Sequence, residues 1–369
     1  MDEQNVNRRQ MLGGAAAVGA AAVLGSDARA AQPAKSAAAA EPVIPDMGDA
    51  QAPPIKDVKD KVAYITGGSS GIGLGIARAL HERGAKVILG NLDDRQFADA
   101  LKMFPPNDAR VATVIHNVME RDGWEAKADE IEKKFGPVSI LVNNAGVGVQ
   151  SGVLNGTYND WDWLMGVNLW GPVYGVKTFA PRMRARPADG CHIVTTTSTS
   201  GVLVGLPNGI YAVTKFAATG LMEQLRADLR ETNIGTSALI PGITQTNIAQ
   251  SESHRPDALK NAQPYAPRMQ AALRADPGGF WSRPQDPIVV GRLVVDGILN
   301  NDLFIFPAPE YRQGVEARAY AMLDSMVSFV PTPDSVQAGI DANRYLFTPL
   351  YAQEVKHRRA TRKRSIAGI

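Results

Sequence analysis

The sequence predicts an α/β fold, a doubly wound parallel sheet of about seven strands with helices on both faces. Three observations carry that prediction. From Lys61 onwards, short apolar runs alternate with helical stretches, the order in which parallel strands and their crossover helices must occur. The turn Thr66-Gly67-Gly68-Ser69-Ser70-Gly71-Ile72-Gly73 stands between the first apolar run and the first helix. Much later, Ser198 closes a run of β-branched residues, and a helix opening with Tyr211 and Lys215 follows it.

The 369 residues, 44% of them hydrophobic, suffice for a large core, and length alone allows two domains. Lys and Arg number 39 against 37 Asp and Glu, a balance that offers no basic surplus for nucleic acid. No apolar run is long enough to span a bilayer. Cys191 is the sole cysteine, which excludes an intrachain disulfide and a cysteine-rich metal site, and the 5 histidines lack metal-ligand spacing.

At the N-terminus, Arg8 and Arg9 precede a weakly apolar run from Met11 to Leu24 and the small-residue site Ala28-Arg29-Ala30. This order resembles a twin-arginine export signal over residues 1–30, which marks proteins carried out already folded, to the periplasm in bacteria. An Ala-rich leader with chance arginines, on a cytoplasmic protein, is the other reading. Residues 31–56, rich in Ala and Pro, read as a disordered linker.

Val62 to Ile65 reads as the first strand, and the stretch through Leu80 to Gly84 as the helix after the turn. The glycines permit positive φ and close backbone approach, and the helix start offers free N–H groups to a pyrophosphate. Gly67, Ser69, Ser70, Gly71, Ile72 and Gly73 are therefore candidate dinucleotide contacts. A plain tight turn carries the same glycines, but the strand before and the helix after favour a nucleotide.

Lys86 to Leu89 forms the second strand. At its tip Asn91 stands where an acid would meet the adenosine ribose of NAD, or an arginine the 2′-phosphate of NADP. Asp93 comes slightly late and Arg95 can face either way, so both cofactors stay open. Val111 to His116 is the third strand, with Asn117 and Val118 at its tip as candidate adenine contacts. Trp124 to Phe135 reads as an amphipathic helix. Ile140 to Val142 then runs into Asn143-Asn144-Ala145-Gly146, small enough to turn past a nucleotide, although an ordinary Asn/Gly turn reads the same.

Asp160 to Arg186 reads as one long helix carrying Asn168, whose amide needs partners if buried. Trp161, Trp163, Trp170 and Phe179 serve there either as core or as subunit contact. His192 to Thr197 is the fifth strand, the helix of Tyr211 runs to about Arg230, and Gly235 to Ile240 is the sixth strand. It ends at Pro241-Gly242, with Thr244 and Thr246 in reach of a cofactor. Asn247 to Pro287 lacks a clean period and reads as a mobile segment over a site. Val289 to Leu299 is a helix and Leu303 to Phe306 a last strand. Beyond Pro307 a mainly helical extension ends in a basic run, Lys356 to Lys363, read as a solvated end.

Tyr211 and Lys215, four apart, share a helical face, so an ammonium can sit beside a phenol. A free phenol, with a pKa of about 10, is a poor base at neutral pH, and a fixed cation nearby favours the phenolate. Ser198 can hydrogen-bond the oxygen that exchanges the proton. Taken alone, the three also read as a common helical pair and a turn-capping serine.

With these residues in order, the chain resembles the short-chain dehydrogenase/reductase family over about Asp57 to Pro307. The resemblance rests on Thr66-Gly67-x-x-x-Gly71-x-Gly73, on Asn143-Asn144-Ala145-Gly146, on Asn168, Ser198, Tyr211 and Lys215, and on Pro241-Gly242. It implies a Rossmann-like catalytic domain over 57–307 with a helical extension over 308–369. It also implies NAD or NADP, hydride transfer to or from a substrate carbon, no metal, and a homodimer or homotetramer.

By the same resemblance Tyr211 is the acid/base, Lys215 binds the nicotinamide ribose and lowers the tyrosine pKa, Ser198 orients the substrate oxygen, and Asn168 helps hold a relay water. Asn91, Asn117, Val118, Asn144, Ala145, Gly146, Pro241, Gly242, Thr244 and Thr246 join the glycine turn around the cofactor. Asn91 and Asn117 stand where acids are frequent in the family.

Within the family, Thr157-Tyr158-Asn159-Asp160-Trp161-Asp162-Trp163, Gly166-Val167-Asn168-Leu169, Pro307-Ala308-Pro309-Glu310 and the long extension look like the Cα-dehydrogenases that oxidise benzylic alcohols of lignin-derived β-aryl ethers. A bulky hydrophobic or aryl secondary alcohol, or its ketone, is the implied substrate. Two other classes compete. Intact Ser198, Tyr211 and Lys215 speak against a non-catalytic dinucleotide sensor. The glycine turn and Lys215 speak against a related lyase of the halohydrin dehalogenase kind, which lacks that turn and carries arginine at the lysine position.

Overall fold

β1 (Val62–Thr66) buries all five side chains, as a central strand covered on both faces must. In the computed structural model, residues 46–149, 151–205, 209–262, 284–326, 334–343 and 349–361 are described. The chain divides into Met1–Val43 and Ile44–Ile369. The expected signal peptide, the linker to residue 45, residues 263–283 of the segment expected over the site, and the tail from residue 362 lie outside the described residues.

Beside β1 run β2 (Lys86–Asn91), β3 (Val111–Ile115), β4 (Val138–Asn143), β5 (Cys191–Thr196), β6 (Ile234–Leu239) and β7 (Phe304–Ile305). They form one 7-stranded sheet in the order β3-β2-β1-β4-β5-β6-β7, with every neighbouring pair parallel. The chain therefore winds outward in both directions from β1 and β4. At that switch point a crevice opens beyond the strands' C-terminal ends.

The period of two along β1 separates the layers. Val62 and Tyr64 join Trp124, Trp163 and Phe179 on one face. Ala63 and Ile65 join Ile76, Leu80 and Val294 on the other. The first face is covered by α3 (Trp124–Phe135), α4 (Tyr158–Met165), α5 (Gly171–Arg184) and α6 (Gly209–Leu229), the second by α1 (Gly71–Glu82), α2 (Phe97–Leu101) and α7 (Pro287–Asn300). The extension contributes α8 (Arg312–Leu323), α9 (Asp334–Asn343) and α10 (Pro349–Thr361).

Four expectations are corrected. The single helix from Asp160 to Arg186 is broken by a π turn at Gly166–Trp170. Pro172, in the first turn of α5, has no N–H to offer the carbonyl of Asn168, so the α-helical ladder cannot pass that point. Of the aromatics there, Trp163 and Phe179 are core, while Trp170, 47% exposed, stacks on Tyr174.

The expected linker ends early. Gln51 Nε2 reaches the carbonyls of Leu229, Thr232 and Ile234 at 3.0–3.2 Å, and Ile55 is fully enclosed in the core. Nor is the basic run merely solvated, because Lys356 pairs with Asp46 and Asp49, and His357 and Arg358 with Asp302. The segment after β6 is also tied down as far as it is described, in 3-10 turns at Ile248–His254 and Asp257–Leu259.

Candidate active site

The site is built at the C-terminal ends of the strands, beginning with the turn after β1. Gly67 and Gly71 adopt φ of +62° and +48°, left-handed values that favour glycine. A Cβ on Gly73 would stand 2.3 Å from the carbonyl oxygen of Gly67 and 2.5 Å from Asn144 Nδ2, so only glycine fits. Ser70 is the N-cap of α1 and makes no side-chain cap bond. Ile72, in the first turn, packs against the core.

Asn144, at the end of β4, binds the turn to the rest of the sheet. Its Nδ2 donates to the carbonyls of Thr66 and Gly67, both at 3.2 Å, and its Oδ1 accepts from Thr196 Oγ1 at 3.0 Å. Thr66 Oγ1 accepts from the backbone N–H of Asn144 (3.0 Å) and Ala145 (3.1 Å). One side chain thus ties β1, β4 and β5 together at the crevice. Thr66 opens the glycine-turn motif, whereas Thr196 carried no motif signal in the sequence and read as an ordinary strand residue.

Asn168 is 1% exposed. Its Oδ1 accepts from Val147 N at 2.9 Å, and its Nδ2 donates to Val147 O at 2.9 Å and to Thr214 Oγ1 at 3.1 Å. Both amide donors are committed to the protein, so the side chain clamps the Val147 peptide. Gly146 sits between this amide and Lys215: a Cβ there would lie 3.4 Å from Asn168 Oδ1 and 3.5 Å from Lys215 Nζ.

Ser198 and Lys215 both lie near Tyr211. Ser198 caps the 3-10 turn Thr199–Gly201, its Oγ accepting from Ser200 N at 3.1 Å, and its side chain is near enough to the Tyr211 phenol to pull that pKa down. Lys215, 3% exposed, donates from Nζ to the carbonyl of Thr196 at 2.9 Å. Burial pushes the Tyr211 phenol above its ordinary value, and Ser198 pulls the other way. Burial likewise pushes the Lys215 amine down to about 8. The expected lowering of the phenol by Lys215 is therefore not the leading influence here: the amine is aimed at a backbone carbonyl, and desolvation outweighs the rest.

At the second strand's tip, Asn91 Nδ2 donates to Ser69 Oγ. Asp93 caps the next turn and holds Arg95, Nη2 to Oδ2 being 2.6 Å. Asn117 caps its own turn through Met119 N at 3.1 Å, and the carbonyl of Val118 accepts from the Trp124 indole at 3.1 Å.

Past β6, the carbonyl of Pro241 accepts from Thr199 N at 3.0 Å, and Gly242 abuts Ala308. Thr244 Oγ1 donates to the Gly242 carbonyl at 3.3 Å, and the Thr246 side chain closes over Gly71. Two further residues shape this side without any motif to announce them. Ser251 Oγ accepts from Gly148 N at 3.0 Å, and Ile248 packs on Gly148 beside Tyr211.

The arrangement suits a dinucleotide. Glycines whose Cβ positions are filled leave the turn's backbone bare beside a helix start, which favours a pyrophosphate. Gly146 lies beside the buried Lys215 amine at the same strand ends. A phenol, a serine hydroxyl and an amine together can exchange a proton with a bound oxygen.

Comparison with known proteins agrees. The sequence model of the family described as short chain dehydrogenase matches residues 61–257, and that of the twin-arginine translocation pathway signal matches residues 5–25. The chain is 32% identical over 289 residues to the C alpha-dehydrogenase of Sphingobium sp. (strain NBRC 103272 / SYK-6), covering 78% of this chain and 93% of that one. Among solved structures, a short chain dehydrogenase/reductase from Burkholderia phymatum in complex with NAD superposes with a TM-score of 0.69 at 32% identity, over 76% of this chain and all of that one. The apo form of LigD from Sphingobium sp. strain SYK-6 gives a TM-score of 0.60 at 30% identity, over 74% of this chain and 100% of the other.

Proposed function

The chain belongs to the short-chain dehydrogenase family and is a nicotinamide-dependent oxidoreductase of CH–OH groups, and from that premise we propose that its substrate is a bulky hydrophobic or aryl secondary alcohol, or the corresponding ketone. The observation that carries the reading is the grouping of Tyr211 with Lys215, whose Nζ is held at the Thr196 carbonyl 5.6 Å from the centre of the phenol ring, beside Ser198, which acts on that phenol.

The nicotinamide supplies the hydride acceptor or donor. The protein supplies everything that handles the proton. In the oxidation direction Tyr211 takes the hydroxyl proton while Ser198 donates to the same oxygen and fixes its position. In reduction the two hydroxyls face the charge that develops on the carbonyl oxygen, an interaction stronger in the transition state than before it. Below about 8 the Lys215 amine carries its charge and favours the phenolate by simple attraction. Asn168 keeps Val147 and hence Gly146 in place beside that amine. Gly67, Ser69, Ser70, Gly71, Ile72 and Gly73, with Asn91, Asn117, Val118, Asn144, Ala145, Pro241, Gly242, Thr244 and Thr246, are assigned to cofactor binding, NAD or NADP.

The signal match at residues 5–25 supports export across the membrane, and we place the mature enzyme in the periplasm. Free dinucleotide is scarce there, so the cofactor is inserted before transport and binds tightly. The test is a screen of aryl and aliphatic secondary alcohols and ketones with both cofactors. Turnover of aryl or other bulky alcohols above small aliphatic ones is expected; a preference for small polar alcohols would overturn the substrate class.

A further inference from the structure

The segment after β6 is fastened at its far end by an ion pair that solvent does not reach. Arg255 is 5% exposed and Asp160 0%, and Arg255 Nη2 donates to Asp160 Oδ1 at 2.7 Å. The guanidinium lies 4.3 Å from the centre of the Trp163 ring. Its other donors reach the carbonyl of Leu259 at 3.1 Å and the carboxylate of Glu252 at 2.7–2.8 Å. Asp160 also accepts from Thr157 N and from Asn261 Nδ2, each at 2.9 Å. A buried pair of this kind adds little net stability, because desolvation offsets the attraction. What it does well is hold a geometry.

The geometry held is next to the chemistry. At the near end of the segment Ser251 Oγ accepts from Gly148 N and donates to the Ile248 carbonyl at 2.6 Å. A Cβ on Gly148 would meet Ile248 Cγ1 at 3.4 Å and Tyr211 Cδ2 at 3.9 Å. Helix α4 closes the circuit: it starts at the turn of Asp160 and leads into the π turn whose Asn168 grips Val147, and Gly148 follows Val147. One short helix thereby braces both the Val147-Gly148 strip and the segment that lies on it.

We propose that Arg255 is a positioning residue: through Asp160 it fixes Ser251 and Ile248 against Gly148, and so sets the apolar wall beside Tyr211 on which the alkyl or aryl substituent of a secondary alcohol rests. The inference rests on the reading of Tyr211 as acid/base. Arg255 itself touches only protein.

The experiment compares Arg255→Lys, Arg255→Met and Ser251→Ala with the wild type, using 1-phenylethanol with NAD and NADP and acetophenone with NADH and NADPH as probes. Arg255→Met and Ser251→Ala should raise KM for the alcohol by about tenfold with kcat and NADH affinity nearly unchanged, and Arg255→Lys, which restores a charge to Asp160, should recover part of the loss. Amide hydrogen exchange at Gly148 and at residues 248–251 should quicken in Arg255→Lys while the β1 and β4 amides keep their protection.

Unchanged KM and unchanged exchange would overturn the proposal. So would equal losses in KM, kcat, NADH affinity and melting temperature, since those describe a merely structural pair. Should the wild type turn over neither probe, the substrate class fails, and exchange at Gly148 in Arg255→Lys still decides the role of Arg255.

Discussion

The amine of Lys215 stands 5.6 Å from the centre of the Tyr211 ring, yet its hydrogen bond goes elsewhere, to the carbonyl of Thr196 at 2.9 Å. The lysine is thus held by the end of β5, rather than spent on its helical neighbour. Its charge costs folding free energy, because burial lowers the folded pKa from 10.5 to about 8.

The sign of that linkage is testable. The unfolded chain binds the proton more tightly, so below about 8 the full cost is present, and stability is gained as pH rises from there towards 10.5. Lys215→Met removes the cost. The wild type should be less stable than Lys215→Met by up to roughly 3 kcal/mol at pH 7, a gap that closes by pH 10 in denaturant titrations, while turnover is lost in the variant.

Tyr211→Phe removes the proton acceptor and leaves the crevice otherwise intact. A fall in kcat of about 10²–10⁴-fold is expected, with NADH binding by fluorescence unchanged. Retained turnover would reject the acid/base assignment.

Asn144→Ala releases three bonds that tie β1, β4 and β5 together. The Thr66 and Gly67 carbonyls lose their partner, and a loss of roughly 1–3 kcal/mol in stability is expected. Cofactor affinity should fall with it, because the glycine turn loses its anchor. Calorimetry with and without NADH separates the two effects.

Arg95 is held on its own loop by Asp93. Asp93→Asn frees the guanidinium for a 2′-phosphate, so the ratio of kcat/KM for NADP over NAD should rise by roughly threefold or more and shrink again at high salt, as an exposed charge effect must. An unchanged ratio would remove Arg95 from the cofactor edge.

Replacing Arg8 and Arg9 together by Lys should leave the protein in the cytoplasm with its activity intact. Fractionation showing undiminished periplasmic protein would defeat the assignment of the leader.

The glycine turn, the Asn-Asn-Ala-Gly strand tip and the Tyr211–Lys215 pair were legible because each is a local pattern whose chemistry depends on neighbours in sequence. What escaped was long-range. Arg255 and Asp160 are 95 positions apart and look like two ordinary surface charges until the chain folds. Gln51, in a stretch poor in apolar bulk, reads as linker although its amide caps three carbonyls 178–183 positions away. The break at Gly166–Trp170 had a signal, Pro172, which the strong helical period around it outweighed. Electrostatics escaped for a different reason: a spacing shows that an amine can approach a phenol, but only the folded burial decides which group it affects.

The contact of Lys356 with Asp46 joins two stretches 310 positions apart in the sequence. It does so beside Gln51 and Asn301, at the edge of the sheet opposite the crevice. Cutting away residues 349–361 would therefore strip Asp46, Asp49 and the Met47 carbonyl of their partners on α10, and limited proteolysis near residue 46 should quicken in a chain shortened to residue 348.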